Sequence, residues 1–544
     1  MDDEQQKQNP SVGTSSEALE QNRSTSEHES TQNLHVDTEQ NMHAHATSVS
    51  HADNAIIDWS GPSDPENPFN WSYRKKWRVT LLACFMTFAV QINGTSMTSA
   101  AEQIDESFHV SDVHFPHSYW PVLSWNLGGA AAPLIALPLM ENFGIRCSYI
   151  SIYVCLIIFL IPQVVAQNFT TLIVTRIITG GCSGVLANIT SSIVNDIWRE
   201  GKSKSFSISL WIWGLLAGLS IGPVLGSATL LYTTWRWIFL SEIIFYTALI
   251  PLLLISLPEI RHSVLLTRRA RLLRSTTSKP LYARAELANT LLRSTLAETV
   301  VRPSRMLATE PVVLSFGLWS AFCVGTAFMF TQSIVQVYGE IYSWSYFGTG
   351  IVQFAVVIGE LLGLVASIFQ DDVYFRSAQR NAQDSTDNTP IPEARLYLSV
   401  FGSFFGLTAG LFVYAWTSKS EYHWVLPTVG LALVGFGMFT VVSAVSSYIL
   451  DCYGNYAASA VAGVAFLENA FAAFLPLATQ SMYRSLGFGW ASSLLGFLAL
   501  GLSGIPVVLI IWGDRVREKS RFMNERECGY GGGHAKRKAD QGDV

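Results

Sequence analysis

Apolar residues fall into twelve long stretches, near 79–98, 119–140, 148–166, 171–194, 206–230, 237–257, 312–335, 348–369, 397–417, 424–448, 456–481 and 489–512, six before and six after a polar, arginine-rich segment. A helix crossing a hydrocarbon core needs roughly 20 mostly apolar residues. The pattern therefore predicts an all-α membrane protein with two six-helix bundles, residues 79–257 and 312–512, around a central cavity. A cytoplasmic loop at 258–311 joins them. Flanking these are a disordered tail at 1–57, an amphipathic entry segment at 58–78 and a polar tail at 513–544.

Composition agrees, since 49% of the 544 residues are hydrophobic and only 14% charged, a balance unlike that of soluble domains. With the N-terminus inside, 31 of the 35 lysines and arginines lie on the cytoplasmic side; Arg236, Lys419 and Arg484 lie outside and Arg176 within a span. Cytoplasmic flanks carry the positive excess, so both termini are expected in the cytoplasm, with the plasma membrane as host. No charged-then-apolar leader occupies the first 30 residues, and the first span is expected to direct insertion.

The tail histidines His28, His35, His43, His45 and His51 read as a solvated tract rather than a metal site. No metal, cofactor or nucleic acid is expected, and the chain reads as a monomer in the lipid bilayer. The seven cysteines lack Cys-x-x-Cys spacing and read as small buried hydrophobes. Of the sequons at Asn93, Asn168 and Asn188, two lie inside spans and Asn168 in a short loop.

The halves echo one another. Pro223, Trp237 and Pro251 are spaced 14 and 14 apart, and Pro476, Trp490 and Pro506 are spaced 14 and 16, as parallel repeats about the membrane normal would be. A phosphate-cradling loop fails, because Gly201-Lys202-Ser203 lacks the required glycine at Asp196. An ion gradient or facilitation remains as the source of drive.

Three local patterns carry candidate chemistry. Pro138 to Arg146, with Glu141, Gly144 and Arg146, places a carboxylate, a glycine turn and an arginine at a cytoplasmic helix junction, suited to a charge latch. Arg176 sits in the fourth span, with Asp196 at its inner end. An arginine there costs about 2.5–3.5 kcal/mol on insertion scales, so a carboxylate, amide or water must face it. In the fifth span Gly214, Gly218, Gly222 and Gly226 repeat every four residues, beside Pro223, a small-residue stripe for close helix approach with a proline break in the backbone ladder.

Together these patterns resemble the major facilitator superfamily, specifically its fungal twelve-span drug:proton antiporter branch. Asp64 to Ser72, Trp235 to Phe239, Leu257-Pro258-Glu259, Pro392 to Leu396 and Phe474 to Leu477 add to the resemblance, which runs from about 58 to 515. It implies the major facilitator fold, proton relay at Arg176, inner gating at Glu141, Gly144 and Arg146, and a leak-tight path at Gly222-Pro223. Ile145 stands where the family usually carries a second arginine, and Glu468 where relatives carry an arginine.

Glu242, Glu360 and Glu468 lie in spans six, eight and eleven. Charge there is penalised unless compensated, so each is a candidate proton-coupling group, Glu468 foremost. Hydration near the outer interface is the preferred reading for Glu242, and pairing with a polar neighbour for Glu360. Trp125, Trp213, Phe328 and Gln332, with Tyr119, Trp120, Trp211 and Phe330, are candidates for a permissive apolar cavity. The expected function is proton-driven export of a small amphipathic substrate, a drug, toxicant or secondary metabolite. Uptake of a nutrient or polyamine-like cation and a non-transporting sensor are the alternatives; a membrane enzyme lacks any nucleophile or metal motif at a span end.

Overall fold

The computed structural model describes residues 56–110, 117–277, 280–287, 292–384, 391–520 and 522–523. Lipid offers no partner for backbone amides, so spanning segments satisfy their hydrogen bonds internally as helices. The first half holds α1 (Tyr73–Thr95), α2 (Trp120–Phe143), α3 (Ile145–Val164), α4 (Phe169–Ile197), α5 (Lys202–Leu230) and α6 (Arg236–Ser256). Next come α7 (His262–Thr277) and α8 (Leu292–Thr309), so the central loop is largely helical. The second half holds α9 (Pro311–Gln336), α10 (Phe354–Asp384), α11 (Ala409–Thr417), α12 (Val425–Tyr453), α13 (Ala457–Phe474), α14 (Thr479–Leu502) and α15 (Gly504–Lys519).

Ten helical stretches among the described residues are long and apolar enough to cross a membrane. One of them, Ala457–Gly513, contains both the eleventh and twelfth predicted spans, divided at Gly487, whose φ of 75° and ψ of 164° interrupt the helix. Helix α2 coincides with the second predicted span.

Helix pairing repeats along the chain. In the first half α1 packs on α5, α2 and α3 on α4, and α3 on α6; six spans later α9 packs on α13, α10 and α11 on α12, and α11 on α14. Across the halves α2 meets α13 and α5 meets α10, so second, fifth, eighth and eleventh spans form the seam.

The chain divides into two compact units, one formed by Gly61–Leu265 with Thr290–Val544 and the other by Leu266–Asn289 with the chain up to Ser60. In the smaller, β1 (Ile56–Ile57) pairs in parallel with β2 (Tyr282–Ala283), and Arg274 binds Glu286 at 2.9 Å.

The entry segment opens with turns and runs into α1 at Tyr73. Asp64 and Asn67 are buried and accept the backbone amides of Glu66 and Phe69, each at 3.0 Å, leading into a single 3-10 turn at Pro68–Asn70. Cys84, Cys182, Cys323 and Cys452 are buried as expected, but Cys147 is exposed. Asn168 caps α4, its side chain accepting from Thr171 N at 3.0 Å. The tail histidines and Cys528 lie outside the described residues.

Candidate functional site

Helix α1 ends at Thr95 and continues as a 3-10 stretch, so its last carbonyls leave the α-helical ladder and can accept from elsewhere. Arg176 supplies the donors. Its guanidinium, fully buried, donates to Asn93 O at 2.7 Å, Gly94 O at 3.0 Å, Pro121 O at 3.1 Å and Asn93 Oδ1 at 3.3 Å. A cation at a helix C-terminus is also favoured by the helix dipole. Close approach is what makes this reach possible: a Cβ at Gly180, one turn along α4, would lie 2.0 Å from Trp125 O.

Asn93 joins Arg176 to a carboxylate. Its Nδ2 donates to Glu242 Oε2 at 2.6 Å, and Ser96 Oγ donates to Glu242 Oε1 at 2.7 Å. Glu242 is therefore buried inside the first half, not hydrated at the outer interface. Trp125 Nε1 donates to Asn93 Oδ1 at 3.0 Å, and Trp125 also lines a central cavity of about 90 Å³. Sequence reasoning misses Asn93 and Ser96 as site residues because Asn93-Gly94-Thr95 reads as a sequon; a polar cluster within an apolar span is the signal that could find them.

The cavity lies on the seam. Trp125, Phe328 and Trp211 line it, whereas Trp213 and Gln332 are not among its lining residues. Trp213 stacks on Phe88, rings 6.4 Å apart and 8° from parallel. Tyr119 instead donates to Ala472 O at 3.1 Å, and Phe330 packs edge-on against Tyr414. Glu468 lines the cavity and accepts a hydrogen bond from Ser320. Glu360 accepts from Ser220 at 2.8 Å across the contact of α5 with α10.

The stripe on α5 faces α1. A Cβ at Gly218 would fall 2.5 Å from Phe88 O, at Gly222 2.1 Å from Thr95 Oγ1 and at Gly226 1.9 Å from Ser96 O. Pro223 O, between them, accepts from Ser99 at 2.8 Å.

At the junction of α2 with α3 the carboxylate facing the Gly144 turn is Glu259, of Leu257-Pro258-Glu259; the Glu141 side chain lies outside the described residues. Gly144 adopts φ 90° and a Cβ there would meet Glu259 Oε2 at 2.5 Å. Glu259 accepts from Ile145 N at 3.0 Å and Arg146 N at 3.2 Å, and from its own chain at Ile260 N and Arg261 N, both at 3.0 Å. Ile145 is thus a buried helix-start residue whose amide is used, and Arg146 reaches Leu254 O at 2.9 Å. Asp196 pairs with Arg261 at 3.3 Å. Glu259→Ala is expected to cost about 1–2 kcal/mol through loss of the cap on α3, read as a lower thermal midpoint of the purified protein; an unchanged midpoint would dismiss the cap.

A second polar knot ties the halves. Arg395 binds Asp371 at 3.0 Å and Asp451 at 2.9 Å, lies over the Tyr374 ring at 3.6 Å and donates to Ser205 at 2.6 Å. Lys202 and Asp372 meet beside it at 2.5 Å.

This arrangement, paired helix halves meeting over a cavity flanked by a buried charge network, is that of a membrane transporter. The Major Facilitator Superfamily pattern matches residues 80–476, and the chain belongs to that family. It is 30% identical over 469 residues to the MFS transporter cpaT of Aspergillus oryzae, covering 86% of this chain and 92% of that one. It is 31% identical over 470 residues to the efflux pump radE of Floropilus chiversii, covering 86% of each, and 31% identical over 474 residues to the ascochitine biosynthesis cluster MFS transporter of Didymella fabae, covering 86% and 90%. Among solved structures, the proton:xylose symporter XylE superposes with TM-score 0.56 at 13% identity over 81% of this chain and 96% of that one. The human organic anion transporter MFSD10 gives 0.54 at 13% identity over 79% and 99%. Both share the fold.

Proposed function

We propose that this transporter exports small amphipathic compounds, in the manner of the fungal efflux pumps it resembles, by exchanging them for protons through alternating access of two six-helix bundles. The observation that carries the reading is the chain of bonds from Glu242 through Asn93 to Trp125, because it links a buried ionisable group directly to the cavity wall. Arg176 and Glu242 would handle the proton, with Glu360 and Glu468 as further titratable groups. Gly144, Arg146 and Asp196, supported by Glu259 and Arg261, would gate the inner side, Glu141 taking part in that latch. Gly218, Gly222, Pro223 and Gly226 would keep α5 tight on α1 as the bundles rock. Both termini are assigned to the cytoplasm and the host to the plasma membrane, with the protein acting as a monomer.

Proton entry down 100 mV yields about 2.3 kcal/mol and one pH unit about 1.4, together enough for roughly a few-hundredfold gradient of a neutral compound. A monovalent cation exchanged one for one cancels the electrical part, leaving about tenfold. In proteoliposomes, accumulation of the substrate is expected to follow an imposed pH gradient and to collapse when a protonophore is added. Accumulation indifferent to the gradient would exclude antiport, and movement of substrate together with protons would favour uptake.

A further inference from the structure

The cavity wall is one-sided in charge, holding the Glu468 carboxylate and no basic side chain among the described residues. Three asparagines line it from three helices, and each commits one amide N–H to its own helix: Asn126 Nδ2 donates to Val122 O at 3.0 Å, Asn188 Nδ2 to Gly184 O at 2.8 Å and Asn469 Nδ2 to Ala465 O at 2.8 Å. Of an amide's two ends only the nitrogen can donate, so these bonds fix the orientation of each side chain and leave its oxygen as an available acceptor. The lining tryptophans are spent in the same way, Trp125 Nε1 on Asn93 Oδ1 at 3.0 Å and Trp211 Nε1 on Ala187 O at 3.1 Å. Gln91, 7% exposed, lines the cavity with a buried Oε1 that has no hydrogen-bond partner. Glu468 adds a carboxylate. Uncharged donors remain on the wall, namely the second N–H of each asparagine, the Gln91 amide nitrogen and the Ser446 hydroxyl, but among the described residues no lysine, arginine or histidine lines it.

We infer that this cavity is a binding site for organic ammonium compounds that carry N–H donors, with Glu468 as the counter-charge and the oxygens of Gln91, Asn126, Asn188 and Asn469 as acceptors. An unpaired buried acceptor is unfavourable, and water that satisfies it in the empty site must be replaced by a donor when a ligand enters. A cation without N–H groups displaces that water and returns nothing. An anion meets the Glu468 carboxylate with no base on the wall to offset it. Aromatic faces of Trp125, Trp211 and Phe328 add cation–π attraction and apolar area. The inference rests on the transporter reading of this cavity, but makes a claim about binding that needs no gradient.

Calorimetric titration of the full-length protein in detergent tests it with two matched pairs. Imipramine, protonated at neutral pH, and its N-methyl quaternary derivative differ by one N–H; tetraphenylphosphonium and tetraphenylborate differ in the sign of charge. Imipramine is expected to bind about 10-fold more tightly than the quaternary form, the size of one hydrogen bond to a charged group, and tetraphenylphosphonium more tightly than tetraphenylborate. Glu468→Gln is expected to weaken imipramine about 10-fold and Gln91→Leu about 5-fold, with thermal midpoints held as a check on folding. Gln91→Ala, with a smaller side chain, serves if Gln91→Leu fails to fold. Equal affinity within the first pair, preference for tetraphenylborate, no imipramine binding, or unchanged affinity in the folded variants would overturn the inference. If the selectivity appears while transport ignores a proton gradient, antiport falls and the ammonium site stands; if transport follows the gradient without the selectivity, antiport stands and the ammonium site falls.

Discussion

Replacing Arg176 by methionine is expected to reduce gradient-driven transport by at least about 100-fold, the scale of two lost charge-assisted hydrogen bonds. Methionine fills similar volume but leaves Asn93 O, Gly94 O and Pro121 O without the donors they have at 2.7, 3.0 and 3.1 Å. It also leaves Glu242 with its bonds to Asn93 and Ser96 but without the nearby cation. Lysine keeps the charge yet presents a compact ammonium instead of a planar fork, and the three carbonyls lie in different directions from the guanidinium, so Arg176→Lys should recover only a small part of the rate. The measurement is paired: transport in proteoliposomes and thermal midpoint in detergent. A folded Arg176→Met protein that transports within about twofold of the parent would make Arg176 a structural clamp on α1 and remove it from proton coupling.

The second large effect is expected from a single methyl group. Gly226→Ala puts a Cβ 1.9 Å from Ser96 O, a backbone atom that moves only if α1 and α5 separate. Overpacking of this kind costs about 1–3 kcal/mol, and here the upper end is expected, seen as poor yield of folded protein and a lowered midpoint. Gly339→Ala is the control, since nothing lies within 4 Å of a Cβ there, and it should stay within about 0.5 kcal/mol of the parent. Equal midpoints for the two variants would mean that α5 does not need its smooth face.

Much of the architecture is legible in the chain because lipid imposes a simple length rule. The apolar stretches coincide with the described helices, and the Pro-Trp-Pro echo between halves matches the recurrence of the same helix pairings six spans later. The glycine stripe at spacing four identifies a close-packed face without naming its partner, which is α1. The candidate site is less legible. Trp211 and Trp213 are two residues apart on α5, so they point to different faces, and only the packing decides that Trp211 meets the cavity while Trp213 stacks on Phe88. Glu259 is visible within a motif, but its task, capping a helix that begins at Ile145, depends on two segments more than 100 residues apart meeting at the Gly144 turn.

Local composition dictates the membrane class, the positions of the spans and the presence of buried charge, because hydrophobic length and the cost of a charge in hydrocarbon can be read one segment at a time. What satisfies that charge is settled by how the helices pack. Arg176 is answered by the last carbonyls of α1 and Glu242 by Asn93 and Ser96, partners that hydropathy cannot assign, since a hydrogen bond depends on ångström distances between helices and not on their apolar content.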